Sequence, residues 1–580
     1  MDLSKVSEWL KDVGSNNKTV IAVVAITCVT SAFVLSPENF LKLFESGKAD
    51  SNPPDKQAVT YSAQGDQIFA SIAANDQAEV NQHFRDTHHH GLSVGDAMKL
   101  AEKLAAEKGE KDAQVIQSLQ EMIQALTRVN AQKYDIKQAL ELLDQGDTTQ
   151  VEAIFAAVAA EAQQDGQAAN NRQAEALRHL GSLAFLHDTQ KAFAAYKRST
   201  ELDPKSLNGW DRLGHLYRRI GEFENAENAY IAVLKHAENN KEWQAAARGN
   251  LGNVYQIRGD LDRAVEYYEQ SLAIERELGR KEGMANQYGN LGIVYQIRGN
   301  LDQAVEFHEK SLALNRELGR KEGMANQYGN LGVVYQIRGD LDRAVEYYEQ
   351  SLAIERDLGR KEGMANQYGN LGIVYQIRGD LDRTVEFHEK SLALNRELGR
   401  KEGMANQYGN LGIVYQIRGD LDRAVEFHEK SLALNRDLGR KEGMAGDYGN
   451  LGIVYEIRGD LDHAIEFHEK SLALNRDLGR KEGMANDYGN LGNVYQIRGD
   501  LDRAVEYYEK SLAIERELGR KEGMANDYGN LGNVYEIRGD LDRAVGYWKQ
   551  SLALFQQLGA NDRVALVQSW IDAAGQKDSH

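Results

Sequence analysis

The chain has 580 residues, with 88 acidic against 69 basic side chains and a net charge of −19, a balance that argues against a general nucleic-acid binder. Its four prolines all lie at or before Pro204, so nothing from there to His580 interrupts a helix; collagen-like and proline-rich disordered chains are excluded and an all-α fold is favoured. The single cysteine, Cys28, excludes a disulfide framework and a cysteine-based zinc site.

A polar tail, residues 1–18, leads into an uncharged apolar stretch, Thr19 to Leu35. Seventeen residues at about 1.5 Å each just cross a hydrocarbon core, so the stretch is expected to be a transmembrane helix of signal-anchor type. A cleaved signal peptide and a buried helix are the competing readings. Lys5, Lys11 and Lys18 precede it and Lys42 and Lys48 follow, which leans toward an exported soluble part of a single-pass membrane protein. Residues 36–60 form a linker containing Pro53 and Pro54. Residues 61–132 are helical in pattern but irregular, with apolar stripes at Ala97–Leu100–Leu104 and Val115–Leu119–Met122–Leu126. His83, Asp86 and His88 to His90 are metal-ligating in type, but the stretch reads as a polar tract and no metal is assigned to it.

From residue 245 to 560 the order is strict. Asn-Leu-Gly recurs at Asn250, Asn290, Asn330, Asn370, Asn410, Asn450, Asn490 and Asn530, a period of 40 without insertion. Periods of 20–50 residues signal a solenoid or array. Each unit splits into two helical halves. Tyr288, Leu291, Gly292 and Tyr295 mark the first; Leu301, Ala304, Val305, His308, Ser311 and Leu312 mark the second; Gly299 separates them. Gly292, Ala304 and Ser311 are small where two helices must approach closely, and Tyr288, Tyr295 and Phe307 fill the space between pairs. One pair cannot bury its own apolar face, so the pairs must stack. Weaker copies begin near Gly146, Leu180 and Leu213, making 133–244 a degenerate stretch of the same array, and 561–580 reads as a capping helix and tail.

Leu-Gly-x-x-Tyr, then Gly, then Ala with an aromatic residue four positions on, resembles the tetratricopeptide repeat (TPR). The Asn-Leu-Gly triplet and the Leu-Gly-Arg-Lys connector are similar to the 40-residue repeats of the Leu-Gly-Asn (Pins) and kinesin light chain type; Leu251-Gly252-Asn253, Leu491-Gly492-Asn493 and Leu531-Gly532-Asn533 carry the full triplet. The resemblance implies a right-handed α-solenoid whose first helices line a concave groove, with protein or peptide partners.

The copies also compare with one another. His308, His388, His428 and His468 share a slot that elsewhere holds Tyr268, Tyr348, Tyr508 or Trp548, so it is a packing position and not a metal ladder. Arg258 and its equivalents are expected to pair with acids such as Asp262. Asn286, Asn290, Ile293 and Ile297 share the other face of the first helix. The slot of Asn290 holds Asn in all eight copies, and a row of amides can both donate to and accept from an extended peptide. The alternative is that these amides bond within the array. The next slot reads Asn253, Ile293, Val333, Ile373, Ile413, Ile453, Asn493, Asn533, as if an apolar centre had polar ends. Gln287, Gln327, Gln367 and Gln407 give way to Asp447, Asp487 and Asp527, Gln416 to Glu456, and Gln496 to Glu536. These changes place an acidic end of the groove near Asp487 and Glu536, for a ligand with a basic end.

No phosphate-binding loop, serine-hydrolase elbow, zinc-protease or kinase signature is present, so neither an enzyme nor a cofactor is expected. The sequence thus reads as a membrane-anchored interaction scaffold that takes a partner protein or extended peptide in the groove. A peptide-responsive sensor and a structural, self-assembling envelope scaffold are the alternatives. Near-identical faces allow self-association.

Overall fold

The computed structural model describes residues 94–108, 113–129, 133–162 and 166–577, and among them every regular element is an α-helix. The expectation of a single-pass membrane protein is corrected: among the described residues no helix is long and apolar enough to cross a membrane. Leu341–Asp357 shows why. It carries charged side chains from end to end and buries only the face bearing Ala344, Tyr348, Ser351, Leu352 and Glu355. The apolar stretch 19–35, on which the signal-anchor and export readings rested, lies outside the described residues, as does the His83 to His90 tract.

Two glycine turns set the hairpins. Gly259 adopts φ 77°, a left-handed conformation that glycine takes without steric penalty. The Asp260 N–H then returns to the Tyr255 carbonyl at 2.9 Å, ending one helix. The Asp260 carboxylate accepts from the Arg263 N–H at 3.2 Å, starting the next. Asp340, Asp380, Asp420, Asp500 and Asp540 repeat the cap. At the far end Gly279, φ 67°, lets the Arg280 N–H reach the Glu275 carbonyl at 2.9 Å and redirects the chain into the next hairpin.

Within a hairpin the two helices meet at a small residue. A Cβ placed on Gly292 would lie 2.6 Å from the His308 ring, so only glycine lets the ring lie flat against the first helix. The Ser311 hydroxyl donates to the Ala285 carbonyl at 2.7 Å, pinning the pair lower down. Tyr295 and Phe307 stack at 5.2 Å. Leu291, Val294 and Ala304 are fully buried.

Two compact units part at residue 334. In the N-terminal unit one apolar core runs from Ala97 through Leu126, Phe155 and Tyr196 to Leu216. Successive first helices touch there: Gly166–Ala184 meets Leu207–Arg219, which meets Lys241–Ile257. In the C-terminal unit Lys401–Ile417 meets Lys441–Arg458, which meets Lys481–Arg498. The row of first helices is the closely packed inner side of each unit.

Rows of ion pairs bind successive hairpins. Arg418 reaches back to Asp382 at 2.7 Å, Arg400 to Glu362 at 3.1 Å and Arg440 to Glu402 at 2.9 Å. Exposed pairs are worth ~0–1 kcal/mol each, so their effect is to fix register, while the apolar layers hold the stack together. The arginine ladder pairs across hairpins: Asp262 is bound by Arg298, whereas Arg258 reaches Glu227 at 2.7 Å. At the end of the array Asn561–Lys577 packs Val567, Trp570 and Ala574 onto Leu541–Leu558 and turns Gln568, Ser569 and Asp572 outward.

Candidate functional site

The inner side is built from one face of the first helices. Asn410, Ile413 and Ile417 lie on that face at i, i+3 and i+7 and are half-buried, while Leu411 and Val414 point to the core and are fully buried. The last slot is more open in the later hairpins of the C-terminal unit, 55% at Ile457, 48% at Ile497 and 56% at Ile537 against 37% at Ile377.

The eight ladder asparagines divide by their partners. Asn250 is buried and donates through Nδ2 to Asp211 Oδ1 of the preceding hairpin at 3.0 Å, so it is an internal clamp. Asn370 donates to Gln367 Oε1 on its own helix at 3.4 Å, and Asn530 is buried. Asn290, Asn330, Asn410, Asn450 and Asn490 make no hydrogen bond with any described residue. Asn290 is buried; Asn330, Asn410, Asn450 and Asn490 are half-buried, and these four amides keep donors and acceptors uncommitted.

The variable slot has a different meaning from the one its pattern suggests. Ile293, Val333, Ile373, Ile413 and Ile453 are half-buried on the inner face. Asn253, Asn493 and Asn533 are buried instead and bond inward. Asn253 Oδ1 accepts from the Tyr268 hydroxyl at 2.7 Å, Asn493 Oδ1 from Tyr508 at 2.7 Å, and Asn533 Oδ1 from Trp548 Nε1 at 3.0 Å. Asparagine stands over three of the four donor-bearing rings, Tyr268, Tyr508 and Trp548, and isoleucine over the four histidines; the fourth donor ring, Tyr348, lies under Val333 and donates to Gln336 Oε1 at 2.8 Å. A polar rim is thus not what these three residues form. The signal lay in the pairing of the two slots across the copies.

The acidic end is corrected in the same way. Asp487 is 4% exposed and accepts from Asn475 Nδ2 at 2.8 Å, beneath the inner face at the junction with the preceding hairpin. Asp447 does the same with Asn435 at 2.7 Å. Burial pushes these carboxyls up, Asp447 to about 6 and Asp487 to about 7. Asp527 is also buried and raised, and faces Ser511 and Glu515. In earlier repeats the slot holds glutamine, and Gln327 Oε1 lies 2.9 Å from His308 Nδ1 across the junction. Burial lowers His308 and its equivalents to about 4, which keeps them neutral packing residues. Glu536 stays half-buried on the first helix Lys521–Ile537. Glu456 sits between Ile453 and Ile457 on Lys441–Arg458, with no hydrogen bond or ion pair among the described residues, and desolvation raises it to about 7.

A second inner face was not visible in the sequence. The helix Ala113–Arg128 lies against the first helices Gly166–Ala184 and Leu207–Arg219, and the three line one cleft. Glu121 reaches Arg212 at 3.6 Å and accepts from Asn208 Nδ2 at 3.4 Å. Counted from the Leu-Gly pairs at 180 and 213, Glu175, His179 and Ser182 stand where Asn286, Asn290 and Ile293 stand in the regular repeats. Asn208 and Arg212 stand where Asn286 and Asn290 do. All five line that cleft.

A family model described as tetratricopeptide repeat matches residues 206–277, 283–357, 363–437, 445–517 and 483–557, together more than half of the chain. Anaphase-promoting complex subunit 6 of Dictyostelium discoideum is 35% identical over 72 residues, 12% of this chain and 8% of that protein, so the chain matches only a small fraction of that relative's length. Among solved structures, nearly identical TPR-like repeats of a putative kinesin light chain from Podospora anserina are 28% identical, covering 33% of this chain and 96% of that one, at TM-score 0.30. BtubC from P. vanneervenii is 24% identical over 38% of this chain and 91% of that one, at TM-score 0.34. The quorum sensor NprR from B. thuringiensis is 15% identical over 61% and 99%, at TM-score 0.45.

Proposed function

The chain belongs to the tetratricopeptide repeat family, and we propose that it is an interaction scaffold that takes a segment of a partner protein on the inner face of its first helices. The observation that carries this reading is the row of uncommitted amides. The half-buried Asn330, Asn410, Asn450 and Asn490 have no hydrogen-bond partner among the described residues, although the slot is asparagine in every copy. An amide that only closed the stack would bond as Asn250 does to Asp211. Beside the amides, Ile373, Ile413 and Ile453 offer apolar area that a partner would cover, and burying it supplies the drive for association.

The test is affinity capture by the full chain, comparing wild type with the triple variant Asn370→Ala, Asn410→Ala, Asn450→Ala. Since two of these three amides have no internal partner, the variant is expected to fold and to lose the captured protein. Equal recovery by a folded variant would refute the inner-face site and favour a scaffold that binds elsewhere or assembles with itself.

A further inference from the structure

We infer that the inner face of the first helices Lys361–Ile377, Lys401–Ile417 and Lys441–Arg458 receives an amphipathic α-helix of a partner protein, with two apolar residues per heptad against the isoleucines and a basic residue against Glu456. The inference rests on the inner-face reading above and specifies the class of partner.

The first support is a helix already present beside the same face elsewhere in the chain. Ala113–Arg128 is an amphipathic helix, and Leu119, Met122, Ile123 and Leu126 along it are fully buried. They share one core with Ala176, Leu180, Leu183, Leu213 and Leu216 of the array. Its Glu121, Gln124 and Arg128 line the cleft made by the inner-face positions Glu175, His179, Ser182, Asn208 and Arg212. A first-helix face of this chain therefore has a helix beside it that reaches two successive hairpins.

The second support is spacing. Each of the three hairpins presents two isoleucines four residues apart: Ile373 and Ile377, Ile413 and Ile417, Ile453 and Ile457. They are half-buried or exposed, with 55% of Ile457 open. Touching helices lie about 8–10 Å apart. A heptad of α-helix rises about 10.5 Å and carries two apolar positions, which matches one hairpin and its isoleucine pair. An extended chain advances about 10 Å in three residues and, with alternating side chains, turns about three residues in every six to that face, three for every two isoleucine pairs where a helix offers four. A helix about 10 Å wide also spans the ~6 Å between paired isoleucines.

The third support is charge and extent. Of the charged side chains on the inner faces of these three helices, Glu362, Glu402 and Glu442 already pair with Arg400, Arg440 and Arg480. Glu456 does not; it is half-buried on the same helix as Ile453 and Ile457, near the Tyr508 ring of the next hairpin. The next first helix replaces the inner isoleucine with Asn493, which is buried and bonded to Tyr508, so the paired patch ends there. Three pairs call for a helix of about three heptads.

The test uses the full chain and two fluorescent probes of 21 residues. One is a lactam-stapled helix with leucine at two positions per heptad and lysine on its flanks. The other has the same leucine and lysine content but carries proline in each heptad to hold it extended. Anisotropy is expected to give tight binding of the stapled probe and at least ~tenfold weaker binding of the extended one. Ile413→Ala with Ile417→Ala, a mild change that keeps the fold, is expected to weaken the stapled probe ~tenfold. Glu456→Gln is expected to weaken it about threefold, and less at high salt. The inference is overturned if the stapled probe does not bind, if the extended probe binds equally well, or if the isoleucine variant binds as wild type does. A dimer of the chain that the probe dissociates in sedimentation would assign the face to a second copy and overturn it too. If the extended probe wins while the asparagine variant still loses the captured partner, the inner-face reading stands and only the helix fails.

Discussion

Two stretches of first helices carry the same face and use it differently. In the N-terminal unit, the face on Gly166–Ala184 and Leu207–Arg219 bears Glu175, His179, Ser182, Asn208 and Arg212 and lines a cleft with Ala113–Arg128, where Ser182 and Arg212 are buried and Glu175 is exposed. In the C-terminal unit, the face on Lys401–Ile417 and Lys441–Arg458 bears Asn410, Ile413, Asn450 and Ile453, and no described helix covers it. That face is polar and charged beside a fixed neighbour, with Arg212 and Asn208 matched to Glu121. The open face combines amides without partners and apolar side chains, the composition of a surface that meets a separate molecule. Burial of an inner face is thus not a requirement of the fold. What lies beside it decides its chemistry.

The largest break in this comparison should come from the helix Ala113–Arg128. Leu119→Asp puts a carboxylate into a fully buried site and should destabilise the N-terminal unit by ~3–5 kcal/mol. Hydrogen exchange should rise over 94–240 and stay unchanged past 441. Gly412→Ala tests the packing shared by both regions. Its Cβ would lie 2.6 Å from the His428 ring, so a loss of ~1–3 kcal/mol is expected, read as a lower midpoint in urea.

The acids beneath the C-terminal face give a pH signature that glutamine repeats lack. The folded Asp487 titrates at about 7, whereas an unfolded aspartate titrates near ~3.9. Between these values the native state holds the extra proton, so this residue's contribution to stability falls as pH rises through that window. Asp487→Asn should remove the fall and raise stability at pH 8 by on the order of 1–3 kcal/mol, measured by denaturant unfolding at pH 5 and pH 8. A more negative slope in the variant would contradict the burial described here. The smallest contrast is the sharpest for the ladder itself. Asn250→Ala loses the bond to Asp211 and should cost ~1 kcal/mol, whereas Asn410→Ala loses no internal bond and should change stability by less than ~0.5 kcal/mol.

Much of the architecture is legible in the residues. The 40-residue period, the glycine turns and the tight contact at Gly292 follow from spacing and size, and the histidine slot is identified as packing by the tyrosines that replace it. The site is less legible, for identifiable physical reasons. Asn493 and Ile453 occupy one slot, and nothing along the helix distinguishes an outward amide from one bonded to Tyr508. Only the joint variation with the second helix does so. Asp487 is one position from Asn486, yet a step of about 100° around the helix carries it into the junction. The docking of Ala113–Arg128 depends on contacts with helices far along the chain, which no local period encodes.

The central claim, that the open first-helix face is where a partner binds, is tested most directly by site-specific photo-crosslinking. A photoreactive phenylalanine analogue at Ile457 would probe the inner face, and the same analogue at Asp382, whose side chain is 92% exposed on the second helix Leu381–Glu397, would probe the outer side. The account predicts a discrete crosslinked protein from position 457 and none from 382. Equal crosslinking from both positions, or from 382 alone, would contradict it.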